Sequence, residues 1–223
     1  ATDEVRSRRL DVIDEVRNGI HYLAGAIWDA VPSLYHDLAD ALRTHFADVD
    51  VNRADLPVVL RYRSWIGGDR DGNPKVTSGL SRQALDEMRS AAIRRHAEAL
   101  VQLYQELSIS DRRVPVSEAL LASIRQDEDE QPLDEEILRH LRHEPFRIKL
   151  RHMQQRLGNS SYTAERYTRD LSLLQDAMRH AGLDELAARG PIPEALIVAR
   201  TFGFHLAALD IRHHSRIHDQ AID

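Results

Sequence analysis

Asp69, Arg70, Asp71 and Asn73 crowd into one short stretch, WIGGDRDGNPKVT from Trp65 to Thr77, and their types allow two chemistries. The first is calcium binding. Asp69, Asp71 and Asn73 stand at alternate positions with oxygen-bearing side chains, as the first ligands of a helix–loop–helix calcium site do. The other requirements fail. Where that loop needs glycine for its sharp turn the chain has Pro74, whose ring holds φ at about −65°. Where it needs a closing bidentate glutamate the chain has Leu80. The second chemistry is anion binding. A guanidinium flanked by carboxylates keeps a set orientation and can offer its planar fork to a phosphate or carboxylate. Gly67 and Gly68 let the backbone approach a neighbour closely, and Trp65 supplies a rigid wall. A plain turn using Gly, Asn, Asp and Pro for their backbone geometry accounts for DGNP but not for the residues ahead of it.

A second set of candidates lies far along the chain, where LDIR ends at Arg212 and is followed by His213 and His214. On a helix His214 and His218 would share a face, at a spacing able to hold zinc. No third ligand stands beside them, so they read as solvated histidines.

These residues need elements to position them, and most of the chain reads as helix. Ile13, Val16, Ile20, Leu23 and Ile27 recur at steps of three and four. Thr2, followed by Asp3 and Glu4, is a helix-start signal. Pro32 interrupts, and Leu34, Leu38 and Leu42 define a second helix. Leu85, Met88, Ala92, Ala99, Leu103 and Leu107 define a long third one. Shorter helices are predicted at Ser117–Arg125, at Asp134–Leu157 with Pro145 as a possible break, and at Thr163–Ala181. Gly182 and RGPIP, Arg189 to Pro193, read as turns. DEDEQPLDEE, Asp127 to Glu136, reads as a solvated acidic loop running into a helix.

Two stretches read as strands. PVVLRYRSW, near 57–65, is β-branched and aromatic with alternating Leu60, Arg61, Tyr62 and Arg63, and FHLAALDIR, near 203–212, is more buried in character. Each leads into one of the polar candidate groups, and polar loops beyond strand ends are a common setting for ligands.

The bulk composition narrows the partners. The 223 residues carry 30 Lys+Arg and 36 Asp+Glu, a formal charge of −6, which argues against nucleic acid or an anionic membrane as the main partner. There is no cysteine, hence no disulfide framework and no thiol chemistry. No apolar run approaches the roughly 20 residues that span a bilayer, and no signal peptide is visible, so a cytoplasmic location is the expectation. The chain opens on Ala1 and stops within IHDQAID, both inside helix-like patterns, so a segment of something longer is also expected.

The ordered set of motifs resembles one family. SWIGGDRDGNPKVT, Ser64 to Thr77, is similar to the strongly marked segment of phosphoenolpyruvate carboxylase. TDEVR, DEVRNGI and IWDAVP ahead of it, EPFRIKL at Glu144–Leu150 and TFGFHLAALDIR at Thr201–Arg212 fit the same family in the same order. The resemblance implies that this is part of the N-terminal half of a carboxy-lyase several times longer. Such an enzyme adds bicarbonate to phosphoenolpyruvate, giving oxaloacetate and phosphate, with Mg²⁺ or Mn²⁺ as cofactor. Bicarbonate attacks the phosphoryl group, and carboxyphosphate and the pyruvate enolate form before the enolate is carboxylated. It also implies a typically tetrameric parent in which helices surround a β-barrel, so the fold class expected here is mainly α with two barrel strands.

By the same resemblance Arg70, Asp69 and Asp71 are assigned to the catalytic network, the two carboxylates holding the arginine. Arg212, Trp65 and Asn73 are assigned to substrate binding. His213 and His214 depart from the family, which usually has Gln or Glu there; His218 matches it. The family's TAHPTE histidine motif, its Gly- and Arg-rich catalytic loop and its metal carboxylates do not occur in this chain, so no metal ligand is assigned and the chain alone is expected to be inactive. The rival expectation is a homologue that kept the scaffold and serves as a binding module.

Overall fold

The computed structural model describes residues 11–46, 48, 51, 53–71 and 73–214. The predicted helix start at Thr2 and the histidine at 218 lie outside them.

Helix α1, Val12–Tyr22, starts at Asp11 with a capping box in which Asp14 answers the cap, two orphan amides being satisfied at once. The chain then widens into a π-turn, Leu23–Ile27, and continues as α2, Trp28–His45. The break predicted at Pro32 therefore sits earlier, at Gly25, whose φ of −102° and ψ of −112° are not helical. Pro32 lies about two turns beyond this break, inside α2. Its ring denies a donor to the Trp28 carbonyl, but the loss falls where the helix has only just restarted.

Helix α3, Ser78–Glu106, is the long helix that the apolar spacing predicts, and the Thr77 side chain caps it by accepting from the Leu80 amide. It serves two cores. Its C-terminal half gives Leu100 and Leu103 to a core shared with Phe146, Leu150, Leu171, Leu174 and Leu196. Its middle gives Ala91 and Ala92 to a second core with Trp28, Tyr35, Val198 and Phe202. There the Trp28 and Phe202 rings stack at 4.6 Å, and Tyr62 stacks on the same phenylalanine at 5.2 Å.

The middle of the chain supplies α4, Glu118–Glu130; α5, Glu135–Leu141; α6, Pro145–Arg156; and α7, Ala164–His180. Pro145 does divide the predicted Asp134–Leu157 helix, standing at the start of α6 where its missing amide is harmless. The acidic stretch is not a solvated loop. Asp127 to Glu130 form the last turn of α4, and Asp127 is 2% exposed. Its carboxylate takes Lys149 Nζ at 2.8 Å and Arg156 Nη1 at 2.6 Å, and Lys149 also reaches Asp170 at 2.7 Å. Charges this deep persist only because each has a partner. Local composition cannot show partners that lie on α6 and α7.

RGPIP is more than a turn. Gly190 closes α8, Asp184–Arg189, and Pro191 opens α9, Pro191–Phe202. Ile192, Ala195, Leu196, Ile197, Val198, Ala199 and Phe202 are all buried, so α9 lacks the apolar–polar contrast by which a helix is read from sequence.

The two predicted strands pair, but only over β1, Arg63–Ser64, and β2, Ala208–Leu209, in parallel register Arg63↔Ala208 and Ser64↔Leu209. Strand geometry extends only as far as a neighbour's backbone is available, and among the described residues each strand has one neighbour. The described residues thus make a mainly helical body carrying one small parallel sheet.

Candidate anion site at the strand ends

The pairing of the two strands continues past their ends and brings the two candidate groups together. The Ala208 amide donates to the Tyr62 carbonyl at 3.0 Å, Asp210 to Ser64 at 2.8 Å and Arg212 to Gly68 at 3.0 Å. The Arg70 amide closes the set by donating to the Arg212 carbonyl at 2.9 Å, so Asp69 and Arg212 form a parallel bridge. Residues far apart in sequence become backbone neighbours at one edge.

The paired glycines explain why this is possible. A Cβ on Gly68 would stand 2.3 Å from the Asp210 carbonyl oxygen. Gly67 has φ +88°, and a Cβ there would meet the Ala84 side chain at 2.9 Å. The close approach that the sequence predicts is therefore made to the chain's own second strand and to α3. The turn itself is tightened by the Trp65 carbonyl, which accepts from the Gly68 and Asp69 amides at 2.9 and 3.0 Å.

The side chains divide into two kinds. Asp69 and Asn73 shape the turn: Asp69 Oδ1 accepts from the Asp71 amide at 3.3 Å and Asn73 Oδ1 from the Lys75 amide at 3.1 Å. Asp71 is exposed. Among the described residues neither Asp69 nor Asp71 ion-pairs with Arg70. The half-buried Arg70 is instead held by Ser81, whose Oγ accepts from Nη2 at 3.2 Å, while Nη1 lies 3.4 Å from His213 Nε2. Ser81 is 5% exposed, and its Oγ donates to the Gly67 carbonyl at 2.7 Å and stands 3.2 Å from the Thr77 carbonyl.

Arg212 is the exposed cation. Its guanidinium carbon stands 5.2 Å from the centre of the Trp65 ring, itself 54% exposed. The nearby Asp210 is engaged by Arg63 at 3.0 Å. Among the described residues no carboxylate pairs with Arg212, so its planar fork is available to an anion arriving from outside.

Of the predicted site residues, Trp65, Asp69, Arg70 and Arg212 meet here, while among the described residues Asp71 and Asn73 make no hydrogen bond or ion pair with Arg70 or Arg212. Sequence reasoning missed Ser81 and the contact of His213 with Arg70. The only cue for Ser81 is its place one turn into the helix that Thr77 caps. His214 is exposed, and with His218 outside the described residues the zinc pairing has no geometry. Among the described residues no group of three or more His, Cys, Asp or Glu could hold a metal ion. The divalent cation implied by the resemblance therefore finds no fitting set of ligands here, and no chemical step is derived through it. Nor is any described helix long and apolar enough to cross a membrane. The arrangement can orient an anion; it offers no activated nucleophile.

Comparison with known proteins points one way. A sequence model of the family described as phosphoenolpyruvate carboxylase matches residues 1–223. A phosphoenolpyruvate carboxylase of Rhodothermus marinus is 41% identical over 99% of this chain and 24% of its own length. Proteins of the same name from Roseiflexus castenholzii and Burkholderia mallei are 36% and 31% identical, again over 99% of this chain, and over 26% and 24% of their own lengths. The chain thus spans about a quarter of the length of these relatives.

Proposed function

This chain belongs to the phosphoenolpyruvate carboxylase family, and from that premise we propose that it is the part of a longer carboxylase whose Arg212 edge holds the anionic groups of phosphoenolpyruvate. The observation that carries this reading is the Asp69–Arg212 bridge, beside which an exposed guanidinium, with no carboxylate partner among the described residues, stands against an aromatic wall at the end of a strand pair. A guanidinium binds phosphate or carboxylate through two parallel N–H bonds, and the Trp65 face restricts the side chain before the ligand arrives. In this reading β1 and β2 are members of a larger barrel completed by the rest of the enzyme, which also provides the divalent cation's ligands and the groups that act on bicarbonate. The chain alone binds but does not turn over. The reading carries with it a homotetrameric, cytoplasmic full-length enzyme.

The experiment is an assay of bicarbonate-dependent oxaloacetate formation by the full-length protein with Mg²⁺, for the native sequence and for Arg212→Gln. The expected result is activity in the first, with KM for phosphoenolpyruvate raised about 100-fold or more in the second, since a charge-assisted bidentate contact contributes roughly 3 kcal/mol. A folded full-length protein with no activity would overturn the reading in favour of a binding module that kept the scaffold.

A further inference from the structure

Arg70 sits in the most strongly marked stretch of the chain, yet it is not the cation that faces outward. Three bonds tie it down from three directions. Its amide donates to the Arg212 carbonyl at 2.9 Å. Nη1 lies 3.4 Å from the ring of His213, the residue after Arg212. Nη2 donates at 3.2 Å to the buried Ser81 Oγ on the first turn of α3. The same hydroxyl donates to the Gly67 carbonyl at 2.7 Å, and Gly68 next to it accepts from the Arg212 amide at 3.0 Å. Ser81 thus connects to Arg212 by two short routes. One runs through the glycine turn and the other through Arg70 and His213.

We propose that Ser81, Arg70 and His213 form a strut that fixes where Arg212 stands, and that Arg70 and Ser81 are positioning residues rather than substrate ligands. The physical reason is leverage. Two backbone bonds and one bridge hold the Arg212 peptide, but they fix its backbone and not the direction of its side chain. A long side chain at the end of a two-residue strand keeps its direction only if its neighbours are braced against something rigid. Helix α3 is the rigid element in reach, and the strut runs from its first turn to the residue following Arg212. Arg70 is half-buried and spends one N–H of each terminal nitrogen inside the protein, so less of its fork faces outward than that of the exposed Arg212.

This inference rests on the reading that Arg212 binds the substrate, and a double-mutant cycle in the full-length enzyme separates the two. Steady-state KM and kcat for phosphoenolpyruvate are measured for Ser81→Ala, Ser81→Thr, Arg70→Ala, His213→Gln, Arg212→Gln, the pairs with Ser81→Ala and the pair Arg70→Ala with Arg212→Gln. Ser81→Ala is expected to raise KM about 5- to 10-fold with kcat changed less, the effect of one hydrogen bond to a charged group. Ser81→Thr and His213→Gln, which keep a hydroxyl and an acceptor, are expected to stay within about twofold of native. In the Arg70→Ala background Ser81→Ala is expected to add less than it does in the native enzyme, since only the glycine-turn route is left to lose, and in the Arg212→Gln background it is expected to add nothing. Additive effects in the Arg70→Ala background would mean that Ser81 only steadies the glycine turn, and the strut would be refuted. An Arg70→Ala loss that persists in full on top of Arg212→Gln would make Arg70 a ligand in its own right and also refute it. If Arg212→Gln leaves KM unchanged while the protein remains active, the substrate reading itself fails.

Discussion

Acidification should loosen the chain through His96, and the effect can be worked from the structure. His96 lies on α3 with none of its surface exposed. Its ring stands edge-on to Trp28 at 4.9 Å and Tyr167 at 4.8 Å, and its Nε2 donates to the Gly203 carbonyl at 2.8 Å in the tautomer with that proton. This bond pins α3 to the turn from which the β2 segment departs. Nδ1 is buried without a partner among the described residues, so a second proton would find no acceptor there. Burial, the largest influence, lowers the pKa from 6.5 to about 4, against a smaller raising effect of the Gly203 bond. A depressed histidine costs nothing above its unfolded pKa. Stability is then lost as pH falls from 6.5 to about 4, because only the unfolded chain takes up the proton readily. At pH 5 the linkage amounts to about 2 kcal/mol, approaching about 3 kcal/mol below pH 4. The assay is urea unfolding at pH 7 and pH 5, native chain against His96→Gln, which keeps an amide donor and does not titrate. The native chain should lose about 2 kcal/mol more than the variant between the two pH values. Equal losses, or a His96 imidazole resonance that titrates near the free-histidine value in NMR, would refute the reasoning.

Other perturbations test other levels. Lys149→Met removes one buried cation and leaves Asp127 and Asp170 to share Arg156, and should cost about 3–5 kcal/mol in chemical denaturation, the range for breaking a buried pair; a loss within about 0.5 kcal/mol would show that the network is not as buried as described. Gly68→Ala should push the Asp210 carbonyl away and strip hydrogen-exchange protection from the Asp210 and Arg212 amides, leaving helix α7 protected; native protection at those amides would contradict the close approach. Millimolar Ca²⁺ should leave the melting temperature where a chelator puts it, since Pro74 and Leu80 occupy essential positions of the calcium loop; a rise with Ca²⁺ would reopen that chemistry.

Much of this protein is legible in its sequence for local reasons. A helix such as α3 is encoded by spacing along one face and by a capping threonine, and both are properties of contiguous residues. The Pro145 break is local too, because a proline acts on its own turn. The family membership is carried by linear order, which needs no coordinates. What the sequence hides is set by distant partners. Helix α9 is buried on nearly every side, so its periodicity is erased by the very packing that stabilises it. Asp127 reads as solvated because its cations stand on α6. At the site, the residue types Asp, Arg and Gly raised anion binding as a chemistry, but not which arginine faces outward. That was decided by a serine one turn into α3 and a histidine beyond β2, brought to Arg70 by a backbone pairing of only a few bonds. Hydrogen bonds across such separations depend on the closed tertiary structure, and no local pattern encodes them.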